Sequence, residues 1–146
     1  MGYRSNVVAV FYTTSDPKDT KAHKRNEAKL KLFMDENFPA EWKKPEWAEP
    51  DEGLTMLEND TGLLYVFKVS DVKWYEGYES VQKFDEFWQK FVELADGVDV
   101  DEEGDEPPKW ACEFIRVGEN TDDIEEKSSN DTEYVLSVSR IIDRNY

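Results

Sequence analysis

Residues 80–95 read SVQKFDEFWQKFVELA, and their spacing decides the fold. Val81, Phe84, Phe87, Trp88, Phe91 and Leu94 recur at helical intervals and fall on one stripe of an α-helix. Gln82, Lys83, Asp85, Glu86, Gln89, Lys90 and Glu93 take the opposite, wet side. Asp96-Gly97 supplies the stop, because glycine adopts the left-handed conformation that closes a helix. Phe84, Phe87, Trp88 and Phe91 on one stripe need a broad apolar surface to cover them, and a β-sheet is the surface that fits.

The flanking sequence supplies that sheet. Asn6 to Thr13 (NVVAVFYT) is β-branched and aromatic, which predicts a strand buried on both faces. Leu54 to Leu57 and Leu63 to Val72, joined by the turn Asn59-Asp60-Thr61-Gly62, predict a β-hairpin. In it Tyr65, Phe67 and Val69 share one face, and Leu64, Val66 and Lys68 the other. Ala111 to Val117 predicts a further strand, with Cys112, Phe114 and Arg116 alternating against Ala111, Glu113, Ile115 and Val117. Thr121 to Asp131 is an acidic connector that admits a short paired stretch at Ile124. Tyr134 to Ile142 predicts a last strand, with Tyr134, Leu136 and Val138 on one face.

Asp16 as N-cap and Pro17 at the first helical position predict a helix start. From Lys18 to about Asn37 that helix carries Leu30, Phe33, Met34 and Phe38 on one stripe. Pro39, Pro45 and Pro50 predict that 39–51 is a loop, pinned by Trp42 and Trp47. Residues 96–108, with seven acids and Pro107-Pro108, predict a solvated acidic loop. The expectation is a single α+β domain over 1–146: one mixed or antiparallel sheet of about five strands with two helices packed on one face.

Composition bounds the class. At 146 residues one domain is the default, and 5 Trp, 7 Tyr and 8 Phe give it a core that a disordered acidic chain lacks. The lone Cys112 cannot make an internal disulfide, which points to a reducing cytoplasm. The opening residues lack the pattern of a signal peptide, and no apolar run approaches the ~18 residues of a membrane span. Gly2 with Ser5 does not fit the myristoylation pattern.

The motifs for chemistry are sparse. The only histidine, His23, lies in the polar first half of the first helix and is expected to be exposed; Cys112 is expected to be buried in its strand. No GxSxG or QAC-type context accompanies them. Neither GxGxxG nor a Walker A loop is present, and no cofactor is implied. Asp99, Asp101, Glu103 and Gly104 match the start of an EF-hand loop, but the bidentate glutamate required at position 12 is Trp110. No metal site follows from that. Trp74, Tyr75 and Tyr78, with Arg116 or Arg140, could stack and charge-pair a nucleotide; the alternative is that these rings plug the end of the sheet.

Charge is the strongest pointer to function. The chain holds 34 acids and 18 Lys plus Arg, net −16. Residues 1–38 hold seven bases and five acids, so the remaining 108 residues carry −18. Such a field repels nucleic acid and anionic membranes and attracts a protein with a basic surface. The densest acids, Asp99, Asp101, Glu102, Glu103, Asp105 and Glu106 in the loop and Asp122, Asp123, Glu125 and Glu126 in the connector, are the candidate partner contacts. A row of carboxylates engages a phosphate-binding protein by the charge logic of DNA itself, which makes a DNA mimic the sharp form of this reading. A sponge for a nucleotide signal and a carboxylate-based hydrolase are the alternatives.

Met1-Gly2-Tyr3-Arg4-Ser5, Val72-Lys73-Trp74-Tyr75, Arg116-Val117-Gly118-Glu119 with Asp122-Asp123-Ile124-Glu125, and Val138-Ser139-Arg140 recur in this order along the chain. They resemble a family of small uncharacterised bacteriophage proteins. The resemblance implies phage origin and expression in the cytoplasm of an infected bacterium, and an inhibitor of a host nucleic-acid-binding or defence protein suits that setting. It carries over no activity and no catalytic residue. The 96–108 loop is an insertion beyond the shorter members.

Because its position-12 ligand is missing, the 96–108 loop is expected to show no micromolar calcium site by calorimetry. A micromolar site abolished by Asp101→Ala would contradict this.

Overall fold

The computed structural model describes residues 4–14, 18, 20–44, 52–59, 62–75, 77–95, 109–119 and 123–129. Asp16-Pro17, Trp47, the 96–108 loop and the strand predicted at Tyr134 to Ile142 lie outside the described residues.

In chain order the elements are β1 (Ser5–Thr13), α1 (Thr20–Asn37), α2 (Ala40–Lys43), β2 (Gly53–Asn59), β3 (Gly62–Val72), α3 (Glu79–Ala95), β4 (Trp110–Gly118) and β5 (Ile124–Ser128). The strands form one five-stranded sheet in the order β2-β3-β1-β4-β5, with every neighbouring pair antiparallel. The sheet is therefore antiparallel rather than mixed, and the fold is α+β. The stretch at Ile124 is paired along its whole length: β5 runs beside β4 from Val117↔Ile124 to Glu113↔Ser128.

β1 takes the centre, and its sequence is apolar on both faces. Val7, Ala9 and Phe11 enter the larger cluster, and Val8, Val10 and Tyr12 enter a second one. The larger cluster holds the buried apolar residues of all three helices: Leu30, Phe33 and Met34 from α1, Trp42 from α2, and Val81, Phe84, Phe87, Trp88 and Phe91 from α3. Phe67, Val69, Cys112 and Phe114 meet them from the sheet. The predicted stripe of residues 80–95 thus faces the sheet. On the opposite face, Ala111 and Ile115 join Val8, Val10 and Tyr12, flanked by Leu64, Val66 and Val117.

One element departs from expectation. Ala40–Lys43 is a helical turn within the stretch expected to be loop. Pro39 precedes it with φ −57°, and Pro39 O accepts the Trp42 N–H at 3.0 Å. A proline at a helix entrance is compatible with its start, since it lacks only an N–H that would have had no helical partner. The turn aims Trp42 inward, where its Nε1 donates to the carbonyl of Ser80 at 2.8 Å and its ring meets Trp74 at 5.1 Å. Gly53 makes this possible: its φ is +99°, and a Cβ there would collide with the Lys43 carbonyl oxygen.

Phe91 is fully buried and touches Phe11, Phe33 and Trp110. Phe91→Ala is expected to cost about 3–5 kcal/mol in chemical denaturation. The exposed Leu32 on α1 serves as contrast, and Leu32→Ala is expected to stay within about 0.5 kcal/mol. A loss below about 1 kcal/mol at Phe91 would place the stripe on the wrong face.

Candidate functional site

The pairing of β4 with β5 brings together residues drawn from two different functional readings. Arg116 lies opposite Glu125 across the ladder. Its guanidinium is forked onto Asp123, with Nη2 to Oδ1 at 2.9 Å and Nη1 to Oδ2 at 3.1 Å. Nη1 also donates to Ser5 Oγ at 3.1 Å, and Nε reaches Glu125 at 3.4 Å. The hydrogen bond to Asp123 raises the guanidinium's pKa still further, so it stays charged at every relevant pH. A bidentate pair of this kind is strong and directional. It commits Arg116 to holding β4, β5 and the start of β1 together, and it neutralises charge on Asp123 and Glu125. Glu126 faces the other way, opposite Ile115, and is exposed.

The aromatic candidates separate. Trp74 is buried in the core, against Trp42 at 5.1 Å, Phe84 at 5.2 Å and Phe114 at 6.1 Å. It plugs the end of the sheet. Tyr75 and Tyr78 stay near the surface, Tyr78 44% exposed, and pack edge-on to each other at 5.1 Å. Arg140, Asp99, Asp101, Glu102, Glu103, Asp105, Glu106 and Asp122 lie outside the described residues.

His23 is buried, not exposed as its polar surroundings suggested. The tip of the β2–β3 hairpin folds over the first turns of α1, and a Cβ on Gly62 would sit 3.3 Å from His23 Cε1. Nε2 of His23 pairs with Glu27 Oε1 at 2.9 Å, one turn along the same helix. Glu113 on β4 is a buried carboxylate whose Oε2 accepts a hydrogen bond from the Tyr12 hydroxyl at 2.6 Å. Cys112 is buried, and its backbone N–H donates to Ser129 Oγ at 3.0 Å. Among the described residues, no group of three or more His, Cys, Asp and Glu side chains is placed to hold a metal ion. A shallow cleft of about 300 Å³ lies between the end of α1 and α3, lined by Asn37, Pro39, Lys83, Glu86, Phe87 and Lys90. Its cations are engaged: Lys83 sits 3.5 Å from both Glu41 and Glu79, and Lys90 donates to Asn37 Oδ1 at 3.1 Å.

No helix among the described residues is long and apolar enough to cross a membrane.

Comparison of the chain with protein-family models, with curated proteins and with solved structures gives no match.

Removing the forked guanidinium is expected to loosen the β4–β5 edge. Arg116→Ala should cost about 1–3 kcal/mol in denaturation, since it strips charged partners from half-buried carboxylates. A double-mutant cycle with Asp123→Ala should show a favourable coupling; additivity of the two substitutions would mean the pair is incidental.

Proposed function

We propose that this chain is a bacteriophage-encoded acidic binding protein. It occupies the basic surface of a host nucleic-acid-binding or defence protein in the cytoplasm of the infected cell. The observation that carries the reading is the charge of the sequence: the chain carries −16, and residues 39–146 carry −18. The densest run is Asp99, Asp101, Glu102, Glu103, Asp105 and Glu106. With Asp122 and the exposed Glu126, these acids present carboxylates to a surface that otherwise receives phosphates. Asp123 and Glu125 contribute less, because Arg116 already partners them. Charge of this kind accelerates encounter and rejects nucleic acid, and its effect falls steeply with salt.

The nucleotide-sponge reading has less to stand on. Trp74 is enclosed in the core and Arg116 is held by Asp123, which leaves the Tyr75–Tyr78 pair as its remaining described element.

The test is capture of host proteins from bacterial lysate by the tagged chain at low and high salt. The captured protein is expected to be a nucleic-acid binder, released by added DNA and by salt. Reversing Asp99, Asp101, Glu102 and Glu103 together to Lys is expected to abolish capture while the melting temperature stays within a few degrees, since exposed charges contribute little to stability. Capture and salt slope unchanged by the reversals would end the proposal. So would a purified protein carrying a nucleotide that leaves only on unfolding.

A further inference from the structure

α1 turns a row of cations to solvent. Lys21, Lys24, Arg25 and Lys29 are all exposed, and among the described residues no ion pair engages them. Lys21, Arg25 and Lys29 follow at four-residue intervals, which sets them on one side of the helix in steps of about 6 Å along its axis. The only acid between Thr20 and Met34 is Glu27, and it is held by His23 at 2.9 Å. The row is therefore a local excess of positive charge on a chain of −16.

The row is firmly mounted. His23, Asn26, Leu30, Phe33 and Met34 bury the opposite side of α1. Asn26 ties the helix to the start of β4: its Nδ2 donates to the Lys109 carbonyl at 2.8 Å, and its Oδ1 accepts the Lys109 N–H at 3.1 Å. Trp110 Nε1 donates to the Asn26 carbonyl at 3.3 Å. Lys109 is itself exposed, so a second element brings a cation beside the helix.

Charge complementarity selects an anionic partner. A lipid surface fits poorly, because a basic helix that lies on a membrane inserts an apolar face between its cations. Here that face is in the core, and Leu32 is the one large apolar side chain of α1 that is exposed. A nucleic-acid strand fits better. It repeats one phosphate at a regular short step, and a guanidinium such as that of Arg25 forks onto a phosphate. We infer that the exposed face of α1, with Lys109, is a sequence-independent contact surface for the phosphate backbone of nucleic acid.

The inference goes beyond the reading of a basic protein partner and does not rest on it. A chain whose acids engage a host protein is still able to touch the nucleic acid that protein carries. The net −16 opposes the contact at long range and gives it a signature. At about 0.01 M salt charges act over about 30 Å, and the whole chain repels the strand. At about 0.15 M they act over about 8 Å, and the row on α1 dominates. Affinity is therefore expected to pass through a maximum as salt rises, where an ordinary basic protein shows only a fall.

The probe is a fluorescein-labelled oligo-dT of about 20 nucleotides, titrated by fluorescence polarisation from about 0.01 to 0.5 M salt. Arg25→Gln and Lys29→Gln are each expected to weaken binding about fivefold and to lower the slope on the high-salt side by about one. Lys73→Gln makes the same change in net charge just past the far end of β3 and is expected to stay within about twofold. All three side chains are exposed, so the melting temperature should hold within a few degrees and confirm the fold. No binding at any salt, or an equal loss from Lys73→Gln, would overturn the inference. So would Arg25-dependent binding to vesicles of about 30% phosphatidylserine with none to the oligonucleotide, which would assign the face to lipid. Binding that emerges only when Asp99, Asp101, Glu102 and Glu103 are changed to Asn and Gln would mean that the chain's own acids occupy the face, and would overturn it too. None of these outcomes touches the capture of a host protein, which is read by reversing those acids to Lys.

Discussion

The structure is organised around the enclosure of one ring. Phe11, on the central strand β1, is fully buried and meets four other aromatic side chains edge-on. Phe91 lies at 5.1 Å, Phe87 at 5.3 Å, Trp88 at 6.0 Å and Phe38 at 6.3 Å. Edge-to-face pairs are worth about 0.5–1.5 kcal/mol each beyond the area they bury. They also fix angles, which plain apolar contact does not. Through Phe11 the sheet dictates where α3 lies, and through Phe38 where α1 ends. Phe38 and Phe67 then seat Phe84, and Phe84 and Trp42 seat Trp74. A chain with an apolar fraction of only 38% is able to build such a core because so much of that fraction is aromatic.

Around this core the polar groups are paired with one another. Arg116 is forked onto Asp123, Lys31 meets Glu58, and Lys83 is shared between Glu41 and Glu79. Lys127 stands over Phe114 at 4.6 Å and also reaches Asp85 at 3.6 Å. These pairs hold opposite charges together on the surface of the described elements.

Much of the fold was legible because it depends on local periodicity. The spacing of Val81, Phe84, Phe87, Trp88 and Phe91 marked both a helix and its buried face, and the two-sided apolar run of β1 marked a strand buried on both faces. The Asn59–Gly62 turn marked a hairpin whose register the structure keeps. What escaped depends on distant partners. His23 looked exposed by its helical neighbours, but its burial comes from a hairpin tip some forty residues further on. Tyr12 and Glu113 are 101 residues apart, so no local window joins them. The turn at Ala40–Lys43 is hidden among Pro39, Pro45 and Pro50, because Pro39 stands just before the turn and does not interrupt it. The candidate site was less legible than the fold. Arg116 and Asp123 were assigned to rival readings. The available signal was an arginine on one strand followed seven residues later by an acid at the turn into the next, a spacing that folds them together once the strands pair.

The Trp42–Trp74 contact has an optical consequence. Two indoles with centroids 5.1 Å apart and planes inclined at 44° are close enough for their excited states to couple, and a fixed inclination gives that coupling a handed signature in circular dichroism. The pair exists only while α2 is docked, because Trp42 reaches it by donating to the carbonyl of Ser80 at the start of α3. The molecule therefore carries an intrinsic reporter at the junction of α2, β3 and α3. Light absorbed there reads whether the short turn after Pro39 is seated, with no label attached.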